Sequence, residues 1–385
     1  MTPAFDLKLP SIVKRFSLAC AINLLVASIA TAEYPARQTV FTYPNAAYEA
    51  SHLGKLEELI DATVPGAEMW ISIYLFNHTR IRDALIRAGN RGAVYNIIMT
   101  PGSRGSGQAA IENDLRLFGH RTWDERRVHR FENAMGSKIN HNKFALFSHI
   151  EKDGEAARFV VFQSSGNFTT SSLRKAQNTV VLVDRDLFQG FLKYWYDQLN
   201  YGLNNRDDNN YRTEVLGDDR TNKAYFFPRS SGDTITGILS NYDLENCNLT
   251  NPIRVAMARW TRARLNIARA LGNLRRRGCR VEVVLRPTTV DQVVIDQLRA
   301  DGISIWALPS LHSKYFLLEG VYGRTVHYDQ RLVWTGSPNF TRSGLRSNDE
   351  ALLKIRAPSV FAAFLEDFER LKRIGVRTTP TTPPF

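Results

Sequence analysis

Two stretches of the chain carry the same succession of apolar and polar positions. In the first, residues 69–75 form a largely apolar run of strand length. Residues 81–91 then place apolar side chains at helical spacing and stop at Gly92, and residues 94–99 return to a β-branched strand that ends before Pro101. In the second, residues 253–257 read as a strand, residues 261–277 as a basic amphipathic helix stopped at Gly278, and residues 280–285 as a strand ending before Pro287. Gly92 and Gly278 are 186 residues apart, as are Pro101 and Pro287. Each stretch continues with a further helix (108–118; 290–301), two more strands, an apolar strand (179–183; 351–355) and an aromatic-rich helix (187–199; 360–371). Phe188, Phe191, Trp195 and Tyr196 in the first of these helices read as core at helical spacing. Strands alternating with helices predict α/β layers, here in two duplicated lobes related by a pseudo-twofold axis.

The remaining segments lack this pattern. Residues 204–222, rich in Asp, Asn and Arg, read as a surface connection between a first lobe (33–203) and a second (223–377). The Pro/Thr-rich tail, 378–385, reads as disordered. At the start, Lys8, Lys14 and Arg15 flank an apolar run over residues 16–29 and an Ala30-Thr31-Ala32 site. This is the layout of a secretory leader, 1–32, cleaved before Glu33. The run is shorter than the ~20 apolar residues that span a bilayer. The expected location is therefore secreted or periplasmic, where Cys247 and Cys279 are free to pair.

Charge narrows the partners. The 385 residues hold 50 Lys and Arg against 38 Asp and Glu, for a net +12 and a pI near 9.7. Loss of Lys8, Lys14, Arg15 and Asp6 with the leader leaves +10. Such a protein meets anionic partners: nucleic acid, an anionic membrane touched peripherally, or a phosphate-bearing substrate. The sequence points to no obligate protein partner and no cofactor. Its histidines lie far apart and the two in repeated motifs each stand beside a lysine, so no metal site is expected.

The candidate chemistry sits at equivalent places in the two halves. His141-Asn142-Lys143 opens one apolar strand and is followed by Ser164-Ser165-Gly166-Asn167; His312-Ser313-Lys314 opens another and is followed by Gly336-Ser337-Pro338-Asn339. On a strand, His and Lys two residues apart share one face while Asn142 and Ser313 point away. Two lysines with Asn167, Asn339, Ser165 and Ser337 suit the oxygens of a phosphodiester. One imidazole suits attack on phosphorus and the other proton transfer. His52, His78, His120, His129, His149 and His327 have no repeated counterpart and read as structural.

A doubled His-x-Lys, each followed by Ser-x-Asn, resembles the phospholipase D superfamily over about residues 39–372. The resemblance implies a bilobed fold of two α/β/α phospholipase D-like lobes, one site at the lobe interface and a phosphohistidine intermediate without a metal. The Asp that the family often has five residues after the Lys is Ser148 in one half and Glu319 in the other. Asn348-Asp349-Glu350 matches the family's Asn-x-Glu, and Gln177-Asn178 stands at that place in the first half. On this basis Glu350 is expected to tune His312 as acid/base, and the Gln177-Asn178 amides to orient His141 as nucleophile, with Asn178 and the two serines near substrate. The function that follows is a secreted phospholipase D-type hydrolase of phospholipids. The alternative is a metal-independent secreted endonuclease on DNA or RNA.

Overall fold

Alternation decides which way each strand faces. In the strand that begins at Lys143, Phe144 and Leu146 point to one hydrophobic cluster and Ala145 and Phe147 to another. From Lys314 onward, Tyr315 and Leu317 join the first cluster while Phe316 and Leu318 face a third. One face of each strand thus turns toward the other half of the chain, and the opposite face toward that half's own helices.

The structure is a computed structural model describing residues 32–100, 107–122, 128–131, 135–243, 247, 252–323 and 329–378. Residues 1–31, within the expected leader, and residues 379–385 of the tail lie outside the described residues.

The first lobe comprises β1 (Ala32–Glu33), β2 (Arg37–Thr42), α1 (His52–Asp61), β3 (Glu68–Ile73), α2 (Thr79–Asn90), β4 (Val94–Met99), α3 (Gln108–Thr122), β5 (Val128–Arg130), β6 (Lys143–Lys152), β7 (Glu155–Ser164), β8 (Gln177–Val183) and α4 (Arg185–Leu203). The second comprises β9 (Glu214–Leu216), β10 (Lys223–Phe226), α5 (Thr234–Leu239), β11 (Ile253–Met257), α6 (Leu265–Arg276), β12 (Val281–Leu285), α7 (Gln292–Ala300), β13 (Ser304–Ala307), β14 (Lys314–Val321), β15 (Asp329–Gly336), α8 (Arg342–Arg346), β16 (Ala351–Ile355), α9 (Pro358–Ile374) and β17 (Val376–Thr378).

The sheets repeat one topology. The first runs β2-β8-β7-β6-β3-β4-β5, with β1 beside β7. The second runs β10-β16-β15-β14-β11-β12-β13, extended by β9 at one edge and β17 at the other. Register repeats too: β6 and β14 enter antiparallel to their neighbours with Lys143 opposite Ile73 and Lys314 opposite Met257. Gly92 and Gly278, just after α2 and α6, both adopt positive φ, which explains glycine as the stop signal.

Helices α1–α3 cover the outer face of one sheet, and α5–α7 that of the other. Between the sheets lie α4 and α9. Helix α4 also touches β10, and α9 touches β2, so each inner helix bridges the lobes. Phe364 of α9 shows the tie: its ring stands 5.0 Å from Phe41 in the first lobe and 4.9 Å from Tyr315 in the second. Asp367, one turn on, accepts hydrogen bonds from the hydroxyls of Tyr43 and Tyr315.

Some expectations change. The stretch 204–222 contains a strand, β9, whose Val215 packs on α4. Tyr196 is 50% exposed, unlike Phe188, Phe191 and Trp195, because it lies about 100° round the helix from Trp195. The basic helix spends part of its charge locally: Arg264 lies buried 3.5 Å from Asp233, and Arg276 pairs with Asp301. Cys247 and Cys279 form a disulfide with Cα atoms 4.4 Å apart, inside the ~7 Å reach such a bond needs. Among the described residues no helix is long and apolar enough to cross a membrane.

Candidate active site

The chain reaches the site through two reciprocal bridges between the lobes. Asn140 pairs with Asp349, and Leu311 with Ala176, both in parallel register. His141 N–H donates to Asp349 O at 2.9 Å, and His312 N–H to Ala176 O at 2.8 Å. The start of each His-x-Lys strand is thus fastened to the residues just before β16 or β8 of the other lobe. Such mutual exchange of equivalent contacts is the signature of a twofold arrangement.

This crossing sets the histidine partners. His141 Nδ1 lies 2.9 Å from the Glu350 carboxylate, which also accepts from Asn348 Nδ2 at 3.1 Å. His312 Nδ1 lies 2.8 Å from Gln177 Oε1. The expected pairing of Glu350 with His312, and of Gln177-Asn178 with His141, is therefore corrected. Each partner comes from the opposite half, because β16 and β8 cross the interface at the point where they pass the histidines.

The hydrogen bonds define both tautomers. A carboxylate only accepts, so His141 carries its proton on Nδ1. Gln177 Nε2 donates to Ser172 O at 3.3 Å, turning Oε1 toward the Ser165 hydroxyl at 3.0 Å and toward His312. The shorter contact with Gln177 favours the proton on Nδ1 of His312 as well, with Lys314 Nζ 3.2 Å from the same nitrogen. Nε2 of each ring is left as the reacting nitrogen.

The lysines are buried beside them. Lys143 Nζ donates to His141 O and sits 5.4 Å from the centre of the Tyr74 ring, itself 5.2 Å from His141. Lys314 Nζ donates to His312 O at 2.7 Å and Ser165 O at 3.3 Å. Asn167 and Asn339 each leave a buried Oδ1 without a hydrogen-bond partner at equivalent places.

The other named polar residues face inward. Ser165 Oγ accepts from Asn178 N–H, and Ser337 Oγ from Ala351 N–H. Asn178 uses Oδ1 on Lys314 N–H at 3.0 Å and Nδ2 on Thr335. These hydrogen bonds hold the histidine and lysine segments in place. Ser148 and Glu319 are structural as well: Ser148 Oγ accepts from Glu68 N–H, and Glu319 pairs with Arg331.

Burial controls the charges. It pulls His141 down to about 4, although Glu350 raises it, so the ring is neutral near pH 7. Burial, then Lys314 and Lys175, push His312 well below the usual histidine range. Lys143 falls to about 7 by burial, opposed by Glu350. Lys314 falls well below its usual value by burial and the charge of Lys143. An anion bound among these groups reverses those penalties. Beneath the site, burial raises Asp349 to about 7 while it accepts from Met135 N–H, Gly136 N–H and Gln198 Nε2.

Gln177 as the partner of His312 and Tyr74 beside His141 were not assigned from sequence. Gln177 had a signal, since it occupies the place of Glu350 in the other half. Tyr74 had none, as its counterpart is Ala258. Among the described residues no group of three His, Cys, Asp or Glu side chains is placed to hold a metal ion.

Two lobes of like topology, each bringing one His-Lys pair to the interface between them, make a phospholipase D-type fold. The chain belongs to the phospholipase D superfamily of phosphodiester-acting enzymes: residues 56–199 and 244–372 match the family described as cardiolipin synthase, PLD-like domain. Among solved structures it is similar to the phosphatidylserine synthase of Haemophilus influenzae, with 12% identity, TM-score 0.61, and 89% of this chain and 87% of that one covered. It is also similar to the polyphosphate kinase of Porphyromonas gingivalis, with 15% identity, TM-score 0.55, and 91% of this chain covered. The chain spans 53% of that kinase's length. At these identities the likeness is one of fold. No curated protein matches the sequence.

Proposed function

We propose that the protein is an exported, metal-independent phosphodiesterase that hydrolyses the backbone of a nucleic-acid strand through a phosphohistidine. The observation that carries the reaction is the crossed pairing: a neutral histidine backed by a buried carboxylate, opposite one backed by an amide.

His141 Nε2 is the nucleophile. Its attack on phosphorus places positive charge on the ring, and Glu350, 2.9 Å from Nδ1, stabilises that charge. As the new N–P bond forms, the P–O bond to the leaving group breaks and His312 gives that oxygen its proton. A low imidazolium pKa makes His312 a strong acid, and the bound phosphate's negative charge lets it take up the proton beforehand. Water then attacks phosphorus and passes a proton to His312 Nε2. The N–P bond breaks, releasing a phosphomonoester and restoring His141. Lys143 and Lys314 neutralise the phosphoryl oxygens throughout.

A net charge of +10 beyond the leader supports nucleic acid as substrate. The leader pattern of residues 1–32 supports export. The name of the matched family, a cardiolipin synthase domain, favours a phospholipid phosphodiester as the second reading. Assaying protein lacking residues 1–32 on single-stranded oligonucleotides and on phosphatidylglycerol vesicles, each with EDTA, separates them. We expect oligonucleotide cleavage that survives chelation. Cleavage of lipid alone overturns the substrate, and complete loss in EDTA restored by a divalent ion overturns the chemistry.

A further inference from the structure

The two lobes match at the histidines but not at the rim. The strand leading to the site ends at Thr100 in the first lobe and at Arg286 in the second, each one residue past the last residue of β4 or β12 and just before Pro101 or Pro287. Thr100 Oγ1 donates to Asn140 O at 3.0 Å, immediately before His141. Arg286 therefore stands at the corresponding place before His312, where a guanidinium replaces a short hydroxyl. Lys175 reaches the same corner from the other lobe, because the next residue, Ala176, makes the bridge to Leu311 and accepts His312 N–H.

Among the described residues neither cation pairs with a carboxylate, and Arg286 Nε is buried without a hydrogen-bond partner. The two repel each other, and both repel Lys314. An anion bound between them relieves this repulsion. One phosphodiester carries a single negative charge, and Lys143 and Lys314 already stand for it. Lys175 and Arg286 are surplus to the reacting phosphate.

We propose that Lys175 and Arg286 form a second phosphate subsite on the His312 side of the cleft, binding the next phosphate of a nucleic-acid strand. The proposal rests on the nucleic-acid reading above. In-line displacement puts the leaving group opposite the nucleophile, hence on the side of His312. The phosphate held by Lys175 and Arg286 belongs to the fragment that departs first, and the fragment on Tyr74's side remains on His141. The strand is thereby bound in one polarity.

The test compares Lys175→Ala, Arg286→Ala and Arg286→Lys with the unaltered protein on two substrates, a tetranucleotide and bis(4-nitrophenyl) phosphate, which has no neighbouring phosphate. Each alanine variant should lower kcat/KM for the tetranucleotide about tenfold relative to its effect on the nitrophenyl ester, mainly through KM. Each should also flatten the slope of log(kcat/KM) against log salt by about 0.7, the contribution of one single-strand phosphate contact. Arg286→Lys should recover most of the loss, which a folding defect would not. Equal losses on the two substrates, or an unchanged salt slope, overturn the subsite. If the unaltered protein cleaves the nitrophenyl ester but no oligonucleotide, the nucleic-acid reading fails first and the subsite with it.

Discussion

Glu350 belongs by chain order to the second lobe and by hydrogen bond to the first histidine. Its carboxylate holds Nδ1–H of His141 and raises the pKa of both His141 and Lys143 against burial. In the free enzyme, kcat/KM on a nitrophenyl phosphodiester should rise as His141 loses its proton at about 4. It should fall as Lys143 loses its charge at about 7. Glu350→Gln gives both histidines an amide partner. We expect kcat to fall by about 10²–10⁴, the range for losing a tuned catalytic group. Both limbs of the pH profile should move to lower pH, since the group that raised both pKa values is gone. A profile that keeps its limbs would show that Glu350 does not act on these groups. Gln177 plays the matching part for His312 without charge, and Ser165 and Ser172 fix its direction.

Most elements were legible in the chain because their signals were local. Strands β4, β11 and β16 run over the predicted residues, and the glycine after each of α2 and α6 sits at positive φ. Residues with long-range partners were less legible. Strand β9 is short and polar on one side, and it exists because β10 offers a hydrogen-bonding edge and Val215 finds α4. The histidine partners were misassigned for a related reason: Asn348-Asp349-Glu350 lies near His312 in the chain, but β16 carries it past His141 in space. The site's members were readable from the doubled motif, whereas their pairing depends on the crossing of two strands. Helix α9 ties the two lobes together. Phe364, fully buried between Phe41 and Tyr315, should cost about 3–5 kcal/mol when truncated to alanine, measured by urea unfolding. A cost well under that range would mean the lobes are held elsewhere.

At the scale of the molecule, duplication builds one site from two incomplete ones. Each lobe supplies a histidine, a lysine and the residue that holds the opposite histidine, so the proposed reaction requires both lobes. The lobes then diverge in charge: a carboxylate behind His141, an amide behind His312, and Arg286 where the first lobe has Thr100. In the proposed reaction this divergence gives the two histidines different work. The most direct test is acid-quenched mass spectrometry of His141→Ala and His312→Ala after mixing with a nitrophenyl phosphodiester, whose good leaving group needs little protonation. We expect the His312→Ala protein to accumulate one phosphoryl adduct, on His141, because water is no longer activated to remove it. The His141→Ala protein should carry no adduct, and neither should sustain turnover. An adduct on His312 in the His141→Ala protein would reverse the roles, and steady turnover by either variant would contradict a single site shared between the lobes.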